Sequence, residues 1–493
     1  MYAGTSEQGW MQFAPTGRGL RYRGNAMLVH PLPYLSDSCE YFARLRHLPG
    51  AVFLDSARPH CGAGRFDLMA ARPLCELRTR GSLTYIASAS GVEASARDPF
   101  ELLDAALDTH LPRQRMRVGE WPFSGGAIGF FSYELGRRMA RLPVADKPGF
   151  MPQMQVGIYP WALMQDHDRR QCTLIFSDSI GAGQRQELIG LSSVPAVEES
   201  TAFRLESNFD SNLDREAYAR AFAQIQRYIL DGDCYQVNLA QRLTARCSGD
   251  PWHAYRRLRA RMASPFSAFM TAGEATVLSF SPERFLHIRD GRVETRPIKG
   301  TMRRATRSDA DQHQVERLLA SAKDRAENIM IVDLMRNDLG RTCRTGSVRV
   351  EKLCGLESYA NVHHLVSVVT GQIAPGRTPL EVLANCFPGG SITGAPKIRA
   401  MQIIEELEPD ARSIYCGSIG YVSASGTMDT SIAIRTLVHA AGHIHSWGGG
   451  GIVADSDCET EYRESLLKIE PLLNGLLDCA AQPALRDRAG SLA

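Results

Sequence analysis

The chain has 493 residues, 44% apolar and 22% charged, with a formal net charge of +2. That composition fits a globular protein long enough for more than one core, and the near balance of charge, with no dominant lysine/arginine block, argues against nucleic acid as the main partner. No apolar run approaches the ~20 residues that span a bilayer, and residues 1–26 lack the apolar core of a secretory signal. The 12 cysteines are scattered without a C-x-x-C pair. This disfavours zinc and disulfides and points to reduced thiols in the cytoplasm.

In chain order, residues 1–26 are rich in glycine and polar residues and are expected to be a loose extension. From 27 to about 200 the pattern is mostly strand-like, in AVFLDS, SLTYIAS, GGAIGFFSY and CTLIFSD, with one helix near Pro99–His110 and a helix and linker over 179–208. A strong helix follows, with Tyr218, Phe222, Ile225 and Ile229 at helical spacing and Gly232 ending it. Strands and helices then mix through a second region, 210–475, with long helices expected over Ala310–Asp338 and Glu459–Asn474. Residues 476–493 read as a flexible tail. The arginines of 256–261, and Arg303, Arg304 and Arg307, read as solvated faces. The fold class is α+β.

The segment ATVLSFSPERFLHIRDGRVETRPIKGT holds Asp290-Gly291 between two alternating stretches, the strongest short-range signal for a type I′ hairpin. Counting back from the turn pairs Leu286 with Thr295 and sets Glu283 opposite Ile298 and Lys299 opposite Pro282. An acid and a lysine therefore share the open end of the hairpin, and Pro282 and Pro297, which lack ladder donors, predict a bulge or break there. A structural Glu–Lys pair is the plainer reading. The sharper one makes Lys299 a nucleophile and Glu283 a general acid.

In DRAENIMIVDLMRNDLGR, Glu327 shares a helical face with Met330, Ile331 and Leu334; in ETEYRESLLKIEPLL, Glu461, Glu464 and Lys468 share another. These faces fit either a salt-bridge network or one carboxylate each for a hard cation such as magnesium. PGGSITGAPKIRAM predicts a loop opening a helix near Ala395-Pro396, a site for an anion. SWGGGGIVADSD places Gly448–Gly451 after a strand, as a flexible turn or a close approach to a ligand. Arg435, in the expected strand TSIAIRTLV, calls for a carboxylate partner. Tyr415 and His364 read first as core residues.

Together these segments resemble the chorismate-utilising enzymes, a family that includes anthranilate, aminodeoxychorismate, isochorismate and salicylate synthases. The likeness runs from about Met27 to Leu473 through CYQVNLAQR, SPERF, PIKGT, DRAENIMIVDLMRNDLGR, HLVS, GGSITGAPKIRAMQIIEELE, SIAIRT, GGGIVADSD and E-x-x-E-x-x-x-K. The resemblance implies a large two-sheet antiparallel β-sandwich flanked by helices. It implies Mg2+ on Glu327 and Glu464 with Glu461 close by, and chorismate carboxylates at Arg435, Tyr415, the Gly449–Gly450–Gly451 backbone and Lys468. Ser391, Gly394, Thr301 and His364 would line the same pocket.

The lysine of PIKGT resembles the aminating branch, in which Lys299 attacks the ring, whereas anthranilate synthases carry PIAGT. Gln236 stands where the hydrating members carry a base lysine. The resemblance therefore implies amination of chorismate at C4 with ammonia, for 4-aminobenzoate and folate synthesis, through a covalent Lys299 adduct. Anthranilate formation, or a non-catalytic amidotransferase-binding or sensing subunit, are the alternatives. No G-x-C-x-G elbow occurs in the sequence, so ammonia is expected from solution or from a separate glutamine amidotransferase subunit. FLDS (Phe53–Ser56), with Leu54 and Ser56, resembles the tryptophan-binding element of feedback-regulated relatives. With Arg65, Phe66, Asp67, Pro265 and Phe266 it would hold tryptophan structurally, inhibit on binding it, or hold nothing. Met27 resembles the family's usual start, so a misassigned start codon is a further expectation.

Overall fold

The strand-like stretches alternate side chains between two environments, as a period of two requires. The computed structural model describes residues 20–21, 27–111, 120–143, 147, 149–195, 201–305, 307–358 and 362–478. Along Val52–Asp55 and Phe66–Ala70, Val52, Leu68 and Ala70 face one core while Phe53 and Met69 face another. Two antiparallel sheets result, of 14 and 12 strands among the described residues. The first core lies between the sheets, joining Leu68 and Val277 of one to Ile128 and Ile419 of the other. The second covers the outer face of the larger sheet, where Phe42 of the helix Cys39–Leu45 and Trp252 and Tyr255 of the helix Pro251–Met262 pack over Phe53. Phe42 stacks on Phe53 with ring centroids 5.1 Å apart.

N-terminal strands continue both sheets. In the larger, Val52–Asp55 pairs with Phe266–Ala272, Leu54 opposite Ala268. In the smaller, Gly126–Phe131 pairs with Ser418–Ser423, Gly129 opposite Gly420. Gly420 is also tight against the strand on its other side, Met428–Ile432. A Cβ on Gly420 would stand 2.2 Å from the Asp429 carbonyl oxygen.

The helix Pro99–His110 forms where expected, capped by Asp98 on the amides of Phe100 and Glu101, as does Arg215–Leu230 with Tyr218, Phe222 and Ile225 buried. Several expectations need correction. The helix expected over 310–338 is two, Ser308–Ala320 and Ala322–Gly340, because Ser321 is extended and its side chain caps the second at the Asp324 amide. The one expected over 459–474 divides into Cys458–Leu467 and Glu470–Leu477, since Pro471 suits a first turn and cannot continue the preceding helix. That second helix carries buried Leu476 and Leu477, so the packed structure reaches beyond 475; residues 479–493 lie outside the described residues. Most of 1–26 also lies outside them, but Leu20 and Arg21 pair with Val29 and Leu28. Arg259 is not a solvated face. It is buried, with Nε 2.6 Å from Asp55 Oδ2 and Nη1 3.1 Å from Asp37 Oδ1. Among the described residues the cysteines are free, and no helix is long and apolar enough to cross a membrane.

The close approach of Gly420 to the strand Met428–Ile432 gives a stability test. Gly420→Ala forces its Cβ into the neighbouring strand and is expected to cost about 1–3 kcal/mol, the usual range for overpacking. Urea denaturation reads this as a lower midpoint at constant slope, and an unchanged midpoint contradicts the close approach.

Candidate active site

Asp290 and Gly291 take φ values of +56° and +73°, the geometry a type I′ turn requires. His287 pairs with Glu294 and Ile288 with Val293, the register the sequence implies. Beyond Thr295 the chain leaves this partner. Ile298–Arg303 pairs instead with Val362–Gln372, Lys299 opposite Leu365 and Thr301 opposite His364, around a bulge at Gly300. Gly300 has φ +79°, and a Cβ there would lie 3.0 Å from Leu318 and 3.1 Å from Asp324. The expected break is therefore present, and it turns Lys299 toward the helix Ala322–Gly340. Lys299 Nζ lies 3.6 Å from Glu327 Oε2.

Glu283 is buried and feels the Lys299 charge. Ser391 Oγ donates to its Oε1 at 3.3 Å. Burial pushes its pKa up to about 7, while Lys299, the Ser391 hydroxyl and the Ile298 amide each pull the other way. A carboxyl group with that value can give up a proton near neutral pH. Glu283 and Lys299 are thus neighbours, but the nearest carboxylate to the ammonium is Glu327.

The helices Ala322–Gly340 and Cys458–Leu467 bring the three predicted acidic residues to one place. Glu461 is buried and accepts from Lys323 Nζ at 3.1 Å and from Ser456 Oγ at 2.7 Å. Lys468 Nζ lies 2.7 Å from Glu464 Oε1 and donates to the Gly449 carbonyl at 3.2 Å. Burial raises the Glu327 pKa against the pull of Lys299 and Lys323. At Glu464 burial pushes the same way, but Lys468, Lys323 and Lys299 together hold the pKa below the ordinary value. Among the described residues no three carboxylate, histidine or cysteine side chains close a metal shell by themselves. The donor set still fits magnesium, which takes one or two protein carboxylates and completes its octahedron with water and substrate oxygens.

The glycines are not a flexible turn. Gly448–Gly451 lie inside the strand His443–Ile452, opposite Gln236–Ser248. A Cβ on Gly448 would lie 2.1 Å from the Ser465 carbonyl oxygen, and one on Gly450 only 3.0 Å from Glu461 Oε2. They let the acidic helix lie directly on the sheet. Gly394, at φ +144°, comes equally close to Gln236, whose carbonyl oxygen would be 2.1 Å from a Cβ there. The Gln236 amide is buried and, among the described residues, neither of its polar atoms has a partner, an expensive state unless a ligand completes it.

The expected strand TSIAIRTLV is two strands, Met428–Ile432 in the smaller sheet and Thr436–Ala440 in the larger. Arg435 sits where the chain crosses between them, at φ +50°, so it does not alternate inward as part of a strand. Burial lowers its pKa, and among the described residues no carboxylate pairs with its guanidinium. Beside it, His364 Nδ1 lies 2.9 Å from Thr301 Oγ1. Burial and then the Arg435 charge push the His364 pKa down to about 4, so the ring is neutral at pH 7. Tyr415 is buried, with its ring parallel to Trp447 at 6.2 Å and the Arg412 guanidinium 5.9 Å from its centroid.

The residues named for tryptophan are also neighbours, on or directly beside the adjoining strands Val52–Asp55, Phe66–Ala70 and Phe266–Ala272. Their polar groups bond within the protein. Asp67 accepts from the Ser56 amide at 2.7 Å, from Ser56 Oγ at 2.6 Å, from His167 Nε2 at 2.7 Å and from Ser38. Arg65 pairs with Asp166 at 2.7 Å and Glu120 at 3.0 Å. Sequence reasoning missed Lys323, whose only local signal is its place one turn before Glu327. It also missed Arg412, buried with two bonds to Glu408.

The family described as chorismate binding enzyme matches residues 60–474. The chain is 47% identical over 447 residues to aminodeoxychorismate synthase component 1 of Klebsiella aerogenes, covering 90% of this chain and 98% of that one. It is 45% identical to the protein of the same name from Escherichia coli, covering 91% and 98%. It is 35% identical to anthranilate synthase component 1 of Aquifex aeolicus, covering 86% and 89%. Anthranilate synthase component I from Streptococcus pneumoniae superposes with a TM-score of 0.73 at 31% identity, over 83% of this chain and 92% of that one. The two-sheet fold, the order of its motifs and these likenesses agree: the chain belongs to the chorismate binding enzyme family.

Proposed function

We propose that the chain aminates chorismate at C4 with ammonia to give 4-amino-4-deoxychorismate, the precursor of 4-aminobenzoate in folate synthesis. The observation that carries this reading is Lys299, 3.6 Å from Glu327 and close enough to act on a buried Glu283 whose pKa is about 7. The relatives named aminodeoxychorismate synthase component 1 support it at 47% and 45% identity, against 35% for the anthranilate synthase.

Arg435, lacking a carboxylate of its own, would take one substrate carboxylate. Tyr415, the Gly449–Gly451 backbone and Lys468 would hold the other and fix the ring close to Lys299. Once Lys299 has released its ammonium proton to solvent, Glu283 gives its proton to the departing C4 hydroxyl as the neutral Lys299 amine bonds to C2, releasing water and leaving a covalent adduct. Ammonia then bonds to C4, the C2–N bond breaks, and the surplus proton returns to Glu283. The pyruvyl group stays in place throughout. Glu327 and Glu464, with Glu461 close by, would hold a magnesium ion, which when bound supplies positive charge against a substrate carboxylate. Ammonia would come from a glutamine amidotransferase subunit, the partner that the component numbering of the relatives suggests. The buried free thiols fit a cytoplasmic setting.

Incubation with chorismate, magnesium and ammonium is expected to yield 4-amino-4-deoxychorismate and no fluorescent anthranilate; anthranilate as the product contradicts the assignment. Lys299→Ala is expected to lower turnover by roughly 10²-fold or more, with a remainder that grows with ammonium as ammonia attacks directly. Unchanged turnover refutes the nucleophile.

Glu283 must be protonated to act. The rate is therefore expected to fall as pH rises through about 7, and Glu283→Gln to lose about 10²–10⁴-fold. Stability follows the same group. Its folded pKa is raised from 4.5 to about 7, so the folded state binds the extra proton in that window and loses stability as pH rises through it. Chemical denaturation across this range is expected to show a weaker fall in Glu283→Gln. Identical profiles contradict the raised value.

A further inference from the structure

Lys323 has no role in the reaction set out above, yet it stands in the middle of the acidic cluster. Its Nζ is 3.1 Å from Glu461 Oε1. Glu327 and Glu464 act on the same ammonium, and with Glu461 they outweigh the effect of burial and raise its pKa. Glu461 itself is 2% exposed and would be a costly lone charge, whereas the Lys323 side chain is 43% exposed. The ammonium is thus bonded to a buried carboxylate while much of the side chain that carries it is in contact with water. Lys323 lies one helical turn before Glu327, so both project from the first turns of Ala322–Gly340 toward the glycine strand. Gly450 keeps that space open, since a Cβ there would stand 3.0 Å from Glu461 Oε2 and 3.8 Å from Lys468 Nζ.

We propose that Lys323 is a built-in stand-in for the divalent cation: its ammonium, on Glu461, completes with Lys299 on Glu327 and Lys468 on Glu464 the charge balance of the carboxylate cluster in the empty enzyme, and it must leave when the metal enters. The proposal rests on the magnesium reading of these carboxylates. It makes metal binding an exchange of one cation for another. The wild-type cluster is stable without metal and binds it weakly. Chorismate, by adding a carboxylate, tips the exchange toward the ion.

The test is calorimetric titration of Mg2+ into the full chain without chorismate, for the wild type, Lys323→Met and Lys323→Arg, with thermal unfolding of each in a chelator and in excess Mg2+. Lys323→Met is expected to bind Mg2+ at least about tenfold more tightly, because a like charge a few ångströms from the ion has gone. It is also expected to unfold at a lower temperature in chelator and to recover on adding Mg2+. Lys323→Arg is expected to bind as weakly as the wild type. Equal Mg2+ affinity in Met and wild type, or a chelator-treated Lys323→Met as stable as wild type, overturns the stand-in while leaving the metal site intact. Absence of Mg2+ binding in all three, and with chorismate added, overturns the metal reading itself and this inference with it.

Discussion

Charge that has been taken out of water must be neutralised, paired or shared, and one corner of this protein uses all three solutions at once. Glu283 is neutralised, its pKa raised to about 7 by burial. Glu327 is paired with Lys299. Glu461 and Glu464 share Lys323 and Lys468. Removing any one of these lysines leaves a carboxylate uncompensated, so the arrangement is electrostatically interdependent. Arg435, with no carboxylate partner among the described residues, is a further charge to be balanced, and in the proposed reading a substrate carboxylate would balance it.

The scaffold exists to make that proximity affordable. Glycines at 448 and 450 let the acidic helix lie against the larger sheet, and the bulge at Gly300 turns Lys299 out of a strand of the smaller one. Arg435 sits at the crossover between the sheets. The site therefore depends on how the two sheets face each other. That relation is held by the core between them and by seams such as Gly129–Gly420 that join the N-terminal strands to the C-terminal ones.

Local chemistry was readable from the chain. Asp290-Gly291 announced the turn and its register, the stretch Pro99–His110 a helix, and Gly232 the end of another. The carboxylate faces could be counted off by helical spacing. What local pattern could not supply was the partner. Thr295 closes its strand and the chain turns to Val362–Gln372, more than sixty residues away, so the ion pair of Lys299 is with Glu327 rather than Glu283. Apolar continuity hid the breaks at Ser321, before Pro471 and at Arg435, because each is made by a cap or a crossover whose bonding lies elsewhere. Arg259 looked like one solvated arginine among several, and only the fold brings Asp55 to it. The choice between aminating and anthranilate-forming chemistry came from family likeness, through one lysine.

The covalent role of Lys299 is the central claim, and mass spectrometry of the protein reaches it most directly. The chain is mixed with chorismate and magnesium without ammonia, quenched in acid and digested. The account predicts a peptide containing Lys299 that carries dehydrated chorismate, and its disappearance when ammonium is added before the quench. An unmodified Lys299 peptide from protein that goes on to aminate chorismate at full rate would contradict it.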